Sequence, residues 1–325
     1  MGRSVRAKSY ALLLAAVAVT MFLGVAAANV AIDPWRVFGL TPIPPSNNVN
    51  DRYERFRAYK AAPDRYDGLL LSSSRGRIMR IGDLRRGMGM DLADFSVSYG
   101  RLEDHLAVLD FVLRDKAARG KRLKAVFLLI DVDTLGERPP VAGALQLLQP
   151  PAISSDVPLR FWWKNLIAIQ WAAWIRTLRE PRFATSDDTR WPERGMQQLP
   201  AKPPLDAAMS EHILARPRYA DDMRNWSRIA ALCRDNGATL IAVLSPIAPR
   251  VLALLDAEEI STVAEQISRS APVWNFSGKA EPSNRPELWF DDLHFVPVVP
   301  DMMVRRIFGD EVPAEWAHFG RLLGR

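Results

Sequence analysis

The sequence predicts an α/β fold with a doubly wound, mainly parallel sheet, preceded by one N-terminal transmembrane helix. Short apolar runs that end abruptly in turns alternate with segments of helical spacing, a pattern typical of βαβ units. A long uncharged segment near the N-terminus supplies the membrane helix. The chain has 325 residues, of which 48% are hydrophobic and 25% are charged, as in an ordinary globular protein.

The uncharged apolar segment covers residues 9–32, and about 20 residues suffice to cross a bilayer. It is long for the hydrophobic region of a signal peptide, which favours an uncleaved anchor. The three alanines at 26–28 nevertheless offer a site for a signal peptidase. A cleaved signal peptide therefore stays the alternative.

Three cations, Arg3, Arg6 and Lys8, precede this segment, and no charge follows it before Asp33. The positive-inside rule then predicts that residues 1–8 form a cytoplasmic tail. We therefore expect a single-pass protein of the cell inner membrane whose C-terminal domain lies in the periplasm.

Composition excludes several classes of function. Apart from the three N-terminal cations, basic and acidic residues nearly balance, so no basic patch indicates nucleic-acid binding. The single Cys233 excludes a disulfide framework and a metal site built from cysteines, and no ligand cluster indicates another metal or a cofactor. Only four histidines are available for acid–base chemistry: His105, His212, His294 and His318.

Beyond the anchor, residues 33–50 form a connector too rich in proline for a helix, and residues 51–325 are predicted to form one α/β domain. Within that domain, the segment at about 139–218 breaks the alternation and is predicted to be a helical or irregular insertion. Strands are expected at 67–71, 93–98, 125–130 and 239–245, with a last short strand at 272–278. Helices are expected at 50–64, 101–119, 221–236 and 250–269.

Candidate catalytic residues follow the first and last predicted strands. Because the carboxyl ends of parallel strands meet at one edge of a sheet, a serine turn at 72–74 can approach Asp291 and His294. An imidazole can take the proton of an alcohol, and a carboxylate that bonds its other nitrogen orients the ring. A solvated turn and a chance Asp-x-x-His spacing are the simpler alternatives.

The order of these motifs resembles the SGNH (GDSL-like) hydrolase superfamily, which has a flavodoxin-like sheet. The resemblance rests on LLLSSSR at 69–75, FSVSYG at 95–100 and the Asp291-x-x-His294 pair. With Asp-Pro-Trp at 33–35 after the anchor, the chain is most similar to membrane-anchored periplasmic members. Those members are related to proteins of polysaccharide O-acetylation and D-alanyl transfer.

This resemblance implies specific roles. Ser74 would be the nucleophile, His294 the base and Asp291 the acid that orients it. The backbone N–H groups of Ser74 and Gly100 would form part of an oxyanion hole.

Two positions depart from the family pattern. Ser72 stands where the family usually has glycine, and Asp131 and Asp133 follow the third strand where the family supplies an asparagine donor. A carboxylate cannot donate a hydrogen bond to an oxyanion. We therefore expect Arg75 and Asp131 to be auxiliary residues, with Arg75 as a substitute donor to the oxyanion.

The resemblance implies a serine esterase or acyltransferase that acts on acyl groups of cell-envelope or exported polysaccharide. It implies an acylated carbohydrate or small acyl donor as substrate, a membrane acyltransferase as a further partner, and no cofactor. The alternative is a catalytically inactive subunit for carbohydrate binding or assembly, because tryptophans of the insertion could stack on sugar rings.

Overall fold

The computed structural model of the protein describes residues 2–43, 50–137, 150–153, 158–179, 212–279 and 285–324. The chain divides into two compact units. The first consists of Met1–Glu54 and Gly143–Ser186, and the second consists of Arg55–Ala142 and Asp187–Arg325.

The described regular elements lie in the following order. The α-helices are α1 (Gly2–Ile32), α2 (Asp51–Ala61), α3 (Ile81–Met88), α4 (Leu102–Ala118), α5 (Pro158–Trp162), α6 (Trp171–Arg179), α7 (Tyr219–Asp235), α8 (Pro249–Leu252), α9 (Ala257–Ser268) and α10 (Val298–Phe308). The strands are β1 (Gly68–Ser72), β2 (Leu92–Ser96), β3 (Ala125–Ile130), β4 (Thr239–Leu244), β5 (Val273–Asn275) and β6 (Arg321–Leu323). Short 3₁₀-helices cover Pro63–Arg65, Ser74–Ile78, Val132–Thr134, Ile213–Ala215, Pro286–Leu288 and Ala314–Trp316, and a π-helical turn covers Trp163–Ile167.

The regular elements described in the first unit are helices. Its helix α1 contains the apolar stretch Lys8–Ile32, which is long and apolar enough to cross a membrane. The helix already begins at Gly2, so residues 2–8, expected to be a separate tail, continue it.

The chain leaves α1 through a hydrogen-bonded turn. The carboxylate of Asp33 accepts the backbone N–H groups of Val37, Phe38 and Gly39 at 2.7–3.0 Å. The first part of the predicted connector is therefore a fixed turn, because one buried carboxylate accepts three backbone hydrogen bonds. Residues 44–49 of that connector lie outside the described residues.

The second unit contains one six-stranded sheet with the order β2-β1-β3-β4-β5-β6. The first five strands are parallel, and β6 is antiparallel to β5. Every residue of β1 and β3 is buried, which explains why these strands form continuous apolar runs in the sequence. Helix α4 packs against α7, and α3 packs against α10. The expected α/β class and mainly parallel sheet are confirmed.

The expected strands coincide with β1 to β5, shifted by no more than a few residues at their ends. The single helix expected at 250–269 is wrong, because the structure has two helices, α8 and α9. The side chain of Asp256 accepts the N–H of Glu258 at 2.9 Å and so begins α9 as a new helix. Of the predicted insertion at 139–218, the structure describes 150–153, 158–179 and 212–218, and α5 and α6 belong to the compact unit of α1.

Candidate active site

Three consecutive serines follow one another at the end of β1, and their side chains have different partners. Ser72 is buried, and its hydroxyl donates to Oγ of Ser96 on the neighbouring strand at 2.8 Å. Ser73 caps the 3₁₀-helix, because its Oγ accepts the N–H of Arg75 at 3.2 Å. Ser74 is the first residue of that helix and is only half-buried. Ser72 is thus bonded within the sheet and Ser73 caps the helix, whereas Ser74 is left partly exposed.

A glycine allows this tight turn. A Cβ atom on Gly76 would lie 1.7 Å from Oγ of Ser72 and 2.9 Å from Oγ of Ser96. No larger residue fits there while the two serines keep their hydrogen bond.

The second part of the site is the loop that follows Trp289. This loop is closed by a bridge between Trp289 and Phe295. Within it, Oδ1 of Asp291 accepts the backbone N–H groups of Leu293 at 2.7 Å and of His294 at 2.6 Å. The carboxylate is therefore positioned by the backbone of its own loop.

The structure brings Ser74, His294 and Asp291 together. Oγ of Ser74 lies 2.8 Å from Nε2 of His294, although the two residues are 220 positions apart. Nδ1 of His294 lies 2.8 Å from Oδ2 and 3.0 Å from Oδ1 of Asp291. The convergence expected from the sequence is present, and the catalytic roles of the three residues stay predictions.

The charge of Asp291 decides how the imidazole can act. Burial by itself raises the pKa of this carboxyl, but the hydrogen bond and charge of His294, with the two backbone N–H groups, hold the pKa below its ordinary value. The carboxylate is thus ionised at neutral pH and accepts a hydrogen bond from the protonated Nδ1 of His294. A neutral ring in that tautomer has an unprotonated Nε2 facing the hydroxyl of Ser74.

Beside these three residues lies a fully buried arginine. Arg75 is 1% exposed, and its Nε donates to the carbonyl oxygen of Leu293 at 2.6 Å. Its Nη1 donates to Asp133 at 2.8 Å and to Oγ of Ser245 at 2.7 Å, and its Nη2 donates to the other oxygen of Asp133. Burial by itself lowers the pKa of the guanidinium, but Asp131 and Asp133 raise it above its ordinary value, so Arg75 stays charged.

These contacts change the expected role of the auxiliary residues. The guanidinium of Arg75 was expected to replace a missing oxyanion donor, but its Nε and both Nη atoms donate to protein acceptors. Asp131 accepts the hydroxyls of Ser73 and, at 2.8 Å, of Ser245. Arg75 and Asp131 therefore hold the serine turn through contacts within the protein.

The expected oxyanion donor Gly100 needs a similar correction. It lies close to the site, since a Cβ on it would be 2.8 Å from the carbonyl oxygen of Ser72. Its N–H, however, donates to the carbonyl of Val97 at 3.0 Å and is not free for an oxyanion. The N–H of Ser74 remains the expected donor, because the first N–H groups of a helix have no acceptor within the helix.

One feature at the carboxyl edge of the sheet could not be predicted from the sequence. Tyr99, directly before Gly100, adopts a φ of 51°, in the left-handed region that bulky residues rarely occupy. Its ring is exposed. Strained backbone of this kind clusters at functional sites, so Tyr99 belongs among the residues to test.

The remaining histidines lie outside the hydrogen-bond chain. His105 is buried in α4 and His318 is exposed. Nδ1 of His212 lies 3.4 Å from Oε2 of Glu259. Within the described parts of the chain, no group of three or more His, Cys, Asp or Glu side chains is arranged to hold a metal ion.

The sequence matches no protein-family model and no curated protein sequence. The site is therefore described by its own geometry: a serine hydroxyl, an imidazole and a carboxylate in hydrogen-bond contact at the carboxyl edge of a mainly parallel sheet.

Proposed function

We propose that the protein is a membrane-anchored, extracytoplasmic serine esterase or acyltransferase of the SGNH type. The observation that carries this proposal is the continuous hydrogen-bond chain from Ser74 through His294 to Asp291. Such a chain activates an alcohol as a nucleophile and is recognised by its geometry, whatever the fold around it.

The position of the chain in the sheet supports the proposal. The order of the strands reverses between β1 and β3, and Ser74 follows β1 while Asp131 follows β3. In open, doubly wound sheets, ligands bind at the carboxyl ends of the strands next to such a reversal. We infer that the sheet is of this doubly wound kind.

In the proposed reaction, Oγ of Ser74 attacks the carbonyl carbon of an ester while Nε2 of His294 takes its proton. The resulting imidazolium is stabilised by the ionised Asp291. Collapse of the tetrahedral intermediate breaks the ester C–O bond, and His294 returns the proton to the departing alkoxide. The products are a free alcohol and an acyl-Ser74 ester.

A second alcohol or water completes the cycle. His294 removes its proton, the new oxygen attacks the acyl-Ser74 carbonyl, and Ser74 regains the proton. Water gives hydrolysis, and a sugar hydroxyl gives acyl transfer. We propose an acylated polysaccharide of the cell envelope, or one destined for export, as acyl donor or acceptor. A membrane acyltransferase is the proposed supplier of acyl groups.

The end of α1 supports an anchor that is retained. The side-chain Nδ2 of Asn29 donates to the carbonyls of Leu166 at 2.9 Å and Ala168 at 3.1 Å, and its Oδ1 accepts Nε1–H of Trp174 at 2.9 Å. Residues 25, 26 and 28 are also partly covered. Cleavage after Ala28 would remove these partly covered residues and leave Asn29 at a free N-terminus, without the helix that positions it.

The orientation follows from Arg3, Arg6 and Lys8, which precede the apolar stretch. Fusion of a reporter that is active only in the periplasm to the C-terminus, through a flexible linker, is expected to give activity. Activity of a reporter that works only in the cytoplasm, at the same position, would reverse the topology.

A specific observation favours a second function, that of a catalytically inactive carbohydrate-binding or assembly subunit. The N–H of Gly100 and the guanidinium of Arg75 are both bonded within the protein. Loss of one oxyanion donor can lower the rate by ~10²–10³. If these donors keep their bonds within the protein, Ser74 can still be nucleophilic, but the oxyanion is poorly stabilised and the protein turns over little substrate.

Purified full-length protein incubated with p-nitrophenyl acetate and with a fluorescent phosphonate separates the two functions. We expect burst release of nitrophenol and labelling at Ser74, both lost in Ser74→Ala. The matched control is Ser227→Ala, which changes an exposed serine on α7. If Ser74→Ala leaves acyl transfer unchanged, the enzyme proposal fails and the binding function replaces it.

A further inference from the structure

The segment at 158–179, named here the tryptophan segment, packs against the end of α1 within the first unit. It comprises α5, the π-helical turn and α6. Asn29, near the end of α1, is fully buried and bonds with the backbone of this segment and with Trp174. A buried polar group with three partners fixes the segment at that level of the helix.

That level is the membrane boundary if α1 crosses a bilayer. About 20 helical residues cross the hydrocarbon core. Counted from Ser9, where the uncharged segment begins, they reach Ala28, so Asn29 lies in the last turns of the segment, close to the end of the core. The tryptophan segment therefore lies where the apolar core meets the lipid headgroups.

The segment exposes apolar side chains in a regular pattern. On α6, Trp171, Ile175 and Leu178 are spaced i, i+4, i+7 and form one stripe, with Trp171 65% exposed. Trp174 and Thr177 of the same helix are buried on another face. The three side chains of the stripe are between 47% and 65% exposed, and the ring of Trp171 also packs edge-on against that of Trp174. Further exposed apolar side chains on the segment are Leu159, Trp162, Trp163 and Ile169.

The charges of the segment have one sign. Residues 158–179 include four Lys or Arg and no Asp or Glu. On α6, Arg176 and Arg179 alternate with the apolar stripe, and both are exposed. Apolar and tryptophan side chains beside cations, with no anion, are typical of helices that lie in the interface of an anionic bilayer. Tryptophan itself is enriched at that depth.

We propose that the tryptophan segment is a second membrane contact, which lies in the headgroup interface beside α1 and binds anionic phospholipid. Its apolar stripe enters the outer part of the hydrocarbon, and its exposed arginines at the surface meet lipid phosphates. The inference rests on the proposed membrane anchor and is independent of the proposed chemistry. It turns a single tether into a two-point attachment for the first unit.

Single labels can test this in the full chain reconstituted into vesicles of phosphatidylethanolamine and phosphatidylglycerol. An environment-sensitive fluorophore is attached at Leu178→Cys, and quenching by nitroxide lipids is measured. The matched control is Leu254→Cys, an equally bulky residue that is 45% exposed in the second unit. Cys233 stays in place, because it is buried and its burial raises the pKa of the thiol to about 12, so labelling at pH 7 spares it.

We expect quenching at residue 178 to be about threefold stronger than at 254, and stronger with a nitroxide near the headgroup than with one deep in the acyl chain. A label at Val17→Cys, in the middle of α1, calibrates the anchor and should prefer the deep nitroxide. If the label at position 17 is quenched while that at 178 does not exceed 254, or if 178 prefers the deep nitroxide, the inference is wrong and the anchor stands. If the label at position 17 is not quenched either, the proposed anchor fails as well.

A charge variant gives a second measurement. Ile175→Glu places an anion on the exposed stripe and leaves the ring contact between Trp171 and the buried Trp174 in place, so the fold should be kept. Combined with the label at Leu178→Cys, we expect it to reduce quenching at that position at least twofold, because the carboxylate is repelled by anionic lipid. Unchanged quenching would contradict the proposed contact.

Discussion

Arg75 donates a 2.6 Å hydrogen bond from Nε to the carbonyl oxygen of Leu293. This contact joins the residue after Ser74 to the residue before His294. Asp133 in turn binds both Nη atoms of the arginine. The distance between the proposed nucleophile and its base is therefore set by a buried ion pair and not by the loop alone.

The first prediction concerns this ion pair. Arg75→Met leaves the carboxylates of Asp131 and Asp133 without a buried cation, which should lower the free energy of unfolding by ~3–5 kcal/mol. In an Asp133→Asn background the same change should cost less, because one uncompensated charge is gone. Urea unfolding of the four proteins of this double-mutant cycle, in detergent, measures the coupling. Equal costs in both backgrounds would rule out the coupling.

The second prediction concerns turnover. Asp291→Asn keeps an oxygen that can accept the N–H groups of Leu293 and His294, so the loop should hold its shape. The amide cannot stabilise the imidazolium or select the tautomer, and the analogous change in a serine protease lowers kcat by ~10⁴. We expect a loss of that order in kcat for ester cleavage. The neighbouring Asp292→Asn, which breaks an ion pair with Arg250, is the control and should keep most of the activity. Similar losses in both variants would argue against an orienting role for Asp291.

The third prediction is a pH dependence of stability. The pKa of Asp291 is lower in the folded protein than in the unfolded chain, so its ionised form contributes stability above an unfolded pKa of about 3.9. That contribution is lost as the pH falls through the lower folded value. The difference in unfolding free energy between the native protein and Asp291→Asn should therefore be largest near pH 7 and shrink towards pH 3. A constant difference over this range would contradict the lowered pKa.

The fourth prediction compares two glycines. Gly76→Ala forces a methyl group against Oγ of Ser72 and should cost about 3 kcal/mol or more, at the upper end of overpacking. Gly82→Ala, in α3, meets nothing within 4 Å and should be neutral or stabilise by up to ~1 kcal/mol. Thermal unfolding of both variants checks the contrast. Equal melting temperatures would show that the turn at Gly76 can relax.

The main features of the sheet could be predicted from the sequence for a physical reason. Strands buried on both faces, such as β1 and β3, consist mostly of apolar residues, so the short runs Leu69–Leu71 and Ala125–Ile130 identify them. The rule that parallel strands end at one edge then places residues far apart in the chain next to each other. That reasoning, with the family resemblance, named Ser74, His294 and Asp291.

Local spacing could not show where individual donors point. The N–H of Gly100 bonds to Val97, and Arg75 turns inward to Asp133, because of contacts that form only in the folded chain. The strand β6 is exposed or half-buried along its length and begins with a charged residue, so it forms no buried apolar run in the sequence. The break between α8 and α9 depends on a single cap, that of Asp256, inside an otherwise helical pattern.

The short strand β6 has a consequence for handling the protein. It pairs Leu323 with Val273 and Arg321 with Asn275, and so occupies the outer side of β5. Without it, the backbone N–H and C=O groups of β5 would form an open edge, a template on which other chains can add strands and aggregate. Truncation before Arg321 should therefore lower solubility while leaving the remaining strands of the sheet paired. Residues 321–323 thus cover the outer edge of β5.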